Sequence, residues 1–216
     1  MKSKISSSPI VPNFTVIILV FLFTVLALSA HRFSYFASDL SISRYLQNIH
    51  HPLFSLSMNF VSELGDDNNL EVLVVLAISL LFFTGLKSEA IKTALLTIAS
   101  ATAGTVIKSL VSRPRPASEL VAIQETLGDM SFPSLHVLIF TVFFGYLFYL
   151  SVYKVKTLWL RLMIATSSLV LILTIGISRI YLGAHWASDT LGGYLLGAIF
   201  LILAIQLSEK SSNNQG

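Results

Sequence analysis

The stretch SRIYLGAHWASD, residues 178–189, places Arg179, His185 and Asp189 within eleven positions of a chain that otherwise avoids charge. One apolar run, Leu158–Ile177, precedes it and another, Thr190–Leu207, follows. Each run approaches the roughly 20 residues that a helix needs to cross hydrocarbon. The polar stretch therefore reads as a short connection between two membrane spans. Its ionisable residues sit at the edge of the apolar layer, where such groups are functional candidates by default.

Working outward, four more runs repeat the pattern: Phe14–Ala30, Leu70–Leu86, Ala90–Ile107 and Leu135–Val152. The sequence predicts an all-α, polytopic helix bundle of six spans in one domain, residues 1–207. Composition agrees: 54% of the 216 residues are hydrophobic and 12% are charged, against roughly 25% charged in soluble domains. Phe54–Leu64 is apolar but too short to span, and reads as an interfacial or re-entrant helix. SELGDDNN, residues 62–69, reads as a turn, and the polar residues 208–216 as a disordered tail. Phe14–Ala30 also fits a signal peptide, with Ala27-Leu28-Ser29 as the cleavage pattern, but its length favours a retained span. The chain has no cysteine, so it has no disulfide framework and no thiolate nucleophile or metal ligand. The net charge of +3 comes from cations scattered through short loops. It reports topology and gives no nucleic-acid-binding face.

Cytoplasmic loops gather Lys and Arg. With the N-terminus in the cytoplasm, Lys2, Lys4, Lys87, Lys92, Lys154, Lys156, Arg161 and Lys210 fall inside. Arg32, Arg44, Lys108, Arg113, Arg115 and Arg179 fall outside, and all but Arg32 and Arg44 belong to stretches with chemistry of their own. Six spans return the C-terminus to the cytoplasm. One extracytoplasmic pocket then holds both the loop after Lys108 and the stretch from Arg179 to Asp189.

Three stretches carry that chemistry. KSLVSRPRP, residues 108–116, ends one span with Lys108, Arg113 and Arg115 and no acid, and Pro114 and Pro116 stiffen the exit. Taken alone, these cations read as side chains snorkelling to water. FPSLH, residues 132–136, opens the next span. Ser134 is placed to cap that helix, whose N-terminus is a ready anion site, and His136 follows in the first turn. In the opening stretch His185 and Asp189 are four apart, on one face of a helix. Asp189 is then placed to accept a hydrogen bond from one imidazole nitrogen and leave the other free to act as base or nucleophile. The bland alternative is a structural His–Asp pair beside a snorkelling Arg179. No Ser lies in a G-x-S-x-G elbow, so a serine hydrolase is disfavoured. His136, His185 and Asp189 also match a two-histidine, one-carboxylate metal set. Lys108, Arg115 and Arg179 would repel a divalent ion and would suit a phosphate.

Lys108-x6-Arg115-Pro116, Pro133-Ser134-x-His136 and Ser178-Arg179-x5-His185-x3-Asp189 together resemble the three signature motifs of the type 2 phosphatidic acid phosphatase family, whose site is related to that of the vanadium haloperoxidases. The resemblance implies that Lys108, Arg115, Ser134 and Arg179 hold a phosphate, joined by the backbone N–H of Leu135, where the family usually has glycine. It implies that His185 attacks phosphorus, that Asp189 orients His185, and that His136 protonates the leaving group and then activates water. It implies no metal and no other cofactor. Arg113, between motif positions, is expected at the surface or against a headgroup. The loop Ala117–Met130, with Glu119, Glu125 and Asp129, is expected to gate the entrance. The implied substrate is a membrane lipid with a phosphate or diphosphate head: a polyprenyl diphosphate, phosphatidylglycerophosphate, phosphatidic acid or a lipid A phosphate. The implied location is a bacterial cell membrane, with the site facing away from the cytoplasm. The same residues would serve a phosphotransferase, or a non-catalytic member that binds or moves lipid phosphates. Nothing in the sequence fixes the oligomeric state.

Overall fold

A computed structural model describes residues 13–125 and 127–213, and every regular element there is a helix. In chain order these are α1 (Asn13–Arg32), α2 (Ala37–Gln47), α3 (Pro52–Leu64), α4 (Asp67–Phe83), α5 (Lys87–Val111), α6 (Leu135–Lys154), α7 (Leu158–Tyr181) and α8 (Ala187–Asn213). Among the described residues, α1, α5, α6, α7 and α8 are long and apolar enough to cross a membrane. The sixth expected span is α4. It has 17 residues, about 25 Å of helix, and a three-residue turn joins it to α5. Lys2, Lys4 and residues 214–216 lie outside the described residues.

The expected interfacial helix is α3, opened by Pro52 at its first turn. Residues 37–47 carry no apolar run, and α2 forms there. Asp39 in its first turn and Arg44 in its last suit the helix dipole, and burial of Asp39 against the bundle fixes it. The tail differs too. Helix α8 continues through Ser208 to Asn213, because extending a formed helix adds one hydrogen bond per residue without a new nucleus.

Helix α6 is the central element, and its apolar side chains enter two core clusters. Leu138 and Val142 pack with Phe23, Val111, Phe132 and Leu196. Phe140, Phe143 and Phe144 pack with Val61, Leu70 and Ile175. Glycines let α8 lie close against α6. A Cβ on Gly193 would stand 2.8 Å from the Ser134 carbonyl oxygen, and one on Gly197 2.7 Å from Thr141 Cβ. Small residues at such crossings are what membrane helices use to approach.

The helix ends sort into two groups. His31, at the end of α1, bonds the Val111 carbonyl at the end of α5 (3.0 Å). The starts of α6 and α8 meet beside them, where Ser134 N–H donates to the Asp189 carbonyl (3.1 Å). At the opposite end Tyr146 donates to Glu89 (2.5 Å), and Lys92 reaches Glu89 (3.1 Å) and Ser208 (2.6 Å). The described chain thus begins and finishes at the end away from the candidate site.

Candidate active site

The site is built from helix ends. Helix α5 stops at Ser112, which adopts a left-handed conformation (φ 51°). The prolines that follow cannot continue a helix, so Arg113 and Arg115 leave the helix axis while Lys108 stays in its last turn. Helix α6 begins at Leu135, with Ser134 at the cap position. Arg179 lies in the last turn of α7, and Asp189 in the first turn of α8. The link between α7 and α8 turns at Gly183 (φ 72°), where any Cβ would meet the Ala122 carbonyl oxygen at 2.2 Å.

The structure brings Lys108, Arg115, Ser134, Leu135, His136, Arg179, His185 and Asp189 to this one end, with three differences from expectation. First, Asp189 and His185 approach without a hydrogen bond: Nδ1 to Oδ2 is 3.6 Å, and Nδ1 has no partner. The Asp189 oxygens are already engaged. Oδ1 accepts from Arg113 (2.6 Å), and Oδ2 accepts from the Trp186 N–H (2.8 Å) and from the Ser131 hydroxyl. The bond to Trp186 is the reach-back half of a capping box, so Asp189 also starts α8. Second, Ser134 makes no side-chain cap; its hydroxyl is buried without a hydrogen-bond partner. Third, Arg113 is not at the surface. It is 1% exposed and ties three elements together, bonding Asp39 (2.9 Å), Ser188 (2.6 Å), Asp189 and the Phe33 carbonyl (3.2 Å). A buried guanidinium is tolerable because its forked donors match two carboxylates. Asp39 in turn accepts from Ser188 N–H and Oγ (both 2.8 Å).

Asp39, Ser131 and Ser188 are therefore the residues that sequence reading missed, and Arg113 is the one it expected at the surface. The signal available was a third cation, in a nine-residue stretch with no acid to pair it.

Leu135 needs no glycine. Among the described residues, positive φ occurs only at Ser112, Gly85 and Gly183. Leu135 is the first residue of α6, and its side chain fills the space beside Gly104 and joins the first core cluster. Its N–H is one of the helix-start donors left without an intrahelical acceptor.

Arg115 Nη1 lies 3.1 Å from His185 Nε2 and 2.6 Å from the Ala184 carbonyl oxygen. A guanidinium can only donate, so Nε2 is the bare nitrogen and Nδ1 carries the hydrogen toward Asp189. Burial, then the charges of Arg115, Arg179 and Lys108, hold the His185 imidazole well below its usual pKa. It is neutral at neutral pH. His136 packs against the turn at Gly65, where an added Cβ would stand 2.9 Å from its ring.

Two loop acids complete the electrostatics. Asp129 Oδ2 accepts from Lys108 Nζ (2.5 Å), and Oδ1 accepts from Arg115 Nη2. Glu125 receives both terminal nitrogens of Arg179 (2.7 and 2.8 Å) and the Ser62 hydroxyl (3.1 Å). Burial raises both carboxyls, but the facing cations outweigh it. Glu125 ends below its usual value, and Asp129 is pulled down to about 2. Among the described residues no three His, Asp or Glu side chains are grouped as a metal would need, and Asp189 is bound to Arg113. Three cations, a helix N-terminus and unpartnered Ser134 Oγ and Arg179 Nε form a site for an anion.

The profile of the PAP2 superfamily matches residues 89–213. The chain belongs to the PAP2 superfamily. Phosphatidylglycerophosphatase B of Bacillus subtilis (strain 168) is 26% identical over 189 residues, 87% of this chain and 92% of that protein. The bacitracin transport permease protein BcrC of Bacillus licheniformis is 31% identical over 112 residues, half of each chain. Among solved structures, a transmembrane PAP2-type phosphatidylglycerolphosphate phosphatase from Bacillus subtilis superposes with a TM-score of 0.79 at 26% identity, covering 90% of this chain and 96% of that one. LpxE of Aquifex aeolicus superposes with a TM-score of 0.61 at 26% identity, covering 79% and 96%. The chain is a multi-pass membrane phosphatase of this superfamily.

Proposed function

We propose that this PAP2-type phosphatase hydrolyses a lipid phosphate or diphosphate through a phosphohistidine on His185. The observation that carries the reading is the convergence of Lys108, Arg115 and Arg179 on the start of α6, beside a buried His185 whose Nε2 carries no hydrogen and accepts one from Arg115. In this reading the phosphate is held by the three cations, the Ser134 hydroxyl and the Leu135 N–H, which stabilise the charge of the transition state. His185 Nε2 attacks phosphorus and the bond to the lipid oxygen breaks. His136, which takes up a proton once the bound phosphate offsets the surrounding cations, gives that proton to the lipid oxygen. The positive charge developing on His185 is stabilised by Asp189, which Arg113 and Ser131 hold in place. His136, now neutral, takes a proton from water. The hydroxide attacks phosphorus, the phosphorus–nitrogen bond breaks, and inorganic phosphate leaves.

The candidate substrates are phosphatidylglycerophosphate, polyprenyl diphosphate, phosphatidic acid and lipid A phosphates. Their heads reach a site at the helix ends while their tails stay in the bilayer. We place the site on the extracytoplasmic side of a bacterial cell membrane, with both chain ends in the cytoplasm. The loop cations support that orientation.

The test is phosphate release by detergent-purified protein, with EDTA present, from a panel of these four lipids. Release from one of them, lost in His185→Ala, is expected. Full turnover by His185→Ala would overturn the mechanism.

A further inference from the structure

All three cations assigned to the phosphate are already paired, and with carboxylates from one loop, between Arg115 and Ser134. Asp129 bridges Lys108 and Arg115 with its two oxygens, as two oxygens of a phosphate would. Glu125 forks onto Arg179. The two ends of the Asp129 bridge differ from its middle. The Lys108 and Arg115 side chains are 6% and 12% exposed, and that of Asp129 is 52% exposed. The cations are fixed in the wall, and the carboxylate stands at the mouth with water at its back.

Asp129, together with the Ala184 carbonyl (2.6 Å from Arg115 Nη1), also sets the group that faces the nucleophile. Arg115 is tethered through its Nε to the Asp129 carbonyl (2.9 Å) and through Nη2 to the Asp129 carboxylate. So held, it donates Nη1–H to His185 Nε2 (3.1 Å). The lone pair needed for attack is engaged for as long as Arg115 stays there.

We propose that Asp129 is a resident competitor for the substrate's phosphate, a specificity-determining residue that must leave Lys108 and Arg115 before the head binds and His185 is released. This rests on the phosphatase reading above. Charge supports displacement. Three cations against Glu125, Asp129 and a phosphate dianion leave an excess of negative charge, and swinging Asp129 into water restores balance. A weak monoanion cannot displace a carboxylate that already bridges both cations. A phosphate dianion or a diphosphate can, because it offers more charge and more oxygens. The apparent affinity for any anion is then the intrinsic affinity reduced by the fraction of molecules in which Asp129 has left.

The test uses the full chain in detergent and inorganic phosphate as probe, with binding read from the shift in thermal unfolding, so that turnover is not required. Each partly exposed ion pair is worth a factor of up to about five. Asp129→Asn should therefore bind phosphate roughly tenfold more tightly than wild type. Glu119→Gln, an exposed acid of the same loop, should bind as wild type does. In wild-type protein, phosphate should speed amide exchange at residues 127–130, which is the signature of a displaced segment. Phosphate binding equal to or weaker than wild type in Asp129→Asn, or slowed exchange at residues 127–130 of the wild type, would overturn the proposal and leave the phosphate site standing. Absence of phosphate binding by every form would overturn the phosphate site and this inference together.

Discussion

Replacing Arg113 with Met should be the most damaging single change at this end of the bundle. The guanidinium is buried and makes hydrogen bonds to Asp39, Ser188, Asp189 and the Phe33 carbonyl. Methionine fills much of the volume, so the cavity contribution is small. What remains is electrostatic. Breaking a buried ion pair by removing one partner costs about 3–5 kcal/mol, because the other charge stays buried. Arg113→Met strands two carboxylates, so its cost lies at or above the top of that range. That is a large share of a typical total stability of about 5–15 kcal/mol. Arg113→Lys keeps a charge but loses the fork, and should fall between. Adding Asp39→Asn to Arg113→Met removes one stranded charge and should recover part of the loss. The assay is denaturant unfolding in mixed micelles, followed by tryptophan fluorescence. Trp186 is 1% exposed and donates its backbone N–H to Asp189, so it reports from the affected spot. A loss under about 1 kcal/mol for Arg113→Met, the size of a surface substitution, would refute the reasoning.

Other expectations follow from single contacts. Gly193→Ala places a methyl group 2.8 Å from the Ser134 carbonyl oxygen and 2.9 Å from Val137 Cβ. It should cost about 1–3 kcal/mol in unfolding experiments, and a neutral effect would contradict the close approach of α8 to α6. His136→Ala should accumulate labelled phosphoprotein after brief exposure to substrate, and His185→Ala should show none; label in both would remove His185 as nucleophile. For Asp129 the sign with pH is fixed. Its carboxyl is held at about 2 against an ordinary 3.8, so its pairs stabilise fully above about pH 4 and are lost as pH falls toward 2. Wild-type protein should lose more stability over that window than Asp129→Asn, by a small amount because the group is half-exposed. Equal acid losses would count against the pairing.

The long helices were legible because hydrocarbon imposes a length and a composition that a linear chain displays openly. Helix α2 was not. Its eleven residues mix Asp39, Arg44 and apolar side chains, and the reason for the helix is the burial of Asp39 against Arg113, 74 positions away. The candidate site residues were legible as motifs, since Lys108, Ser134, His185 and their companions keep the spacings of the three signature stretches. Their partners were not. Nothing in SRPRP says that the first arginine turns inward to Asp39 and Asp189 while the second turns to His185. That choice is made by the αL turn at Ser112 and by which carboxylates the packing delivers. The sequence did offer Glu125 and Asp129 as acids in a loop that should gate the site. Their pairing with Arg179, Lys108 and Arg115 is a tertiary fact.

The candidate site residues sit at helix ends or in the links beside them: Lys108 at the close of α5 with Arg115 just beyond, Ser134 and His136 at the opening of α6, Arg179 at the close of α7, His185 in the link that follows, and Asp189 at the opening of α8. The middle of the bundle, around Phe140 and Phe143, is closed by packed aromatic rings. Headgroups in the near leaflet are therefore within reach, and those in the far leaflet are not. Once the accessible pool is spent, turnover proceeds only as fast as lipids cross the bilayer. In a sealed vesicle holding the protein in a single orientation, the reaction should stop near half of the substrate unless something carries the remainder across.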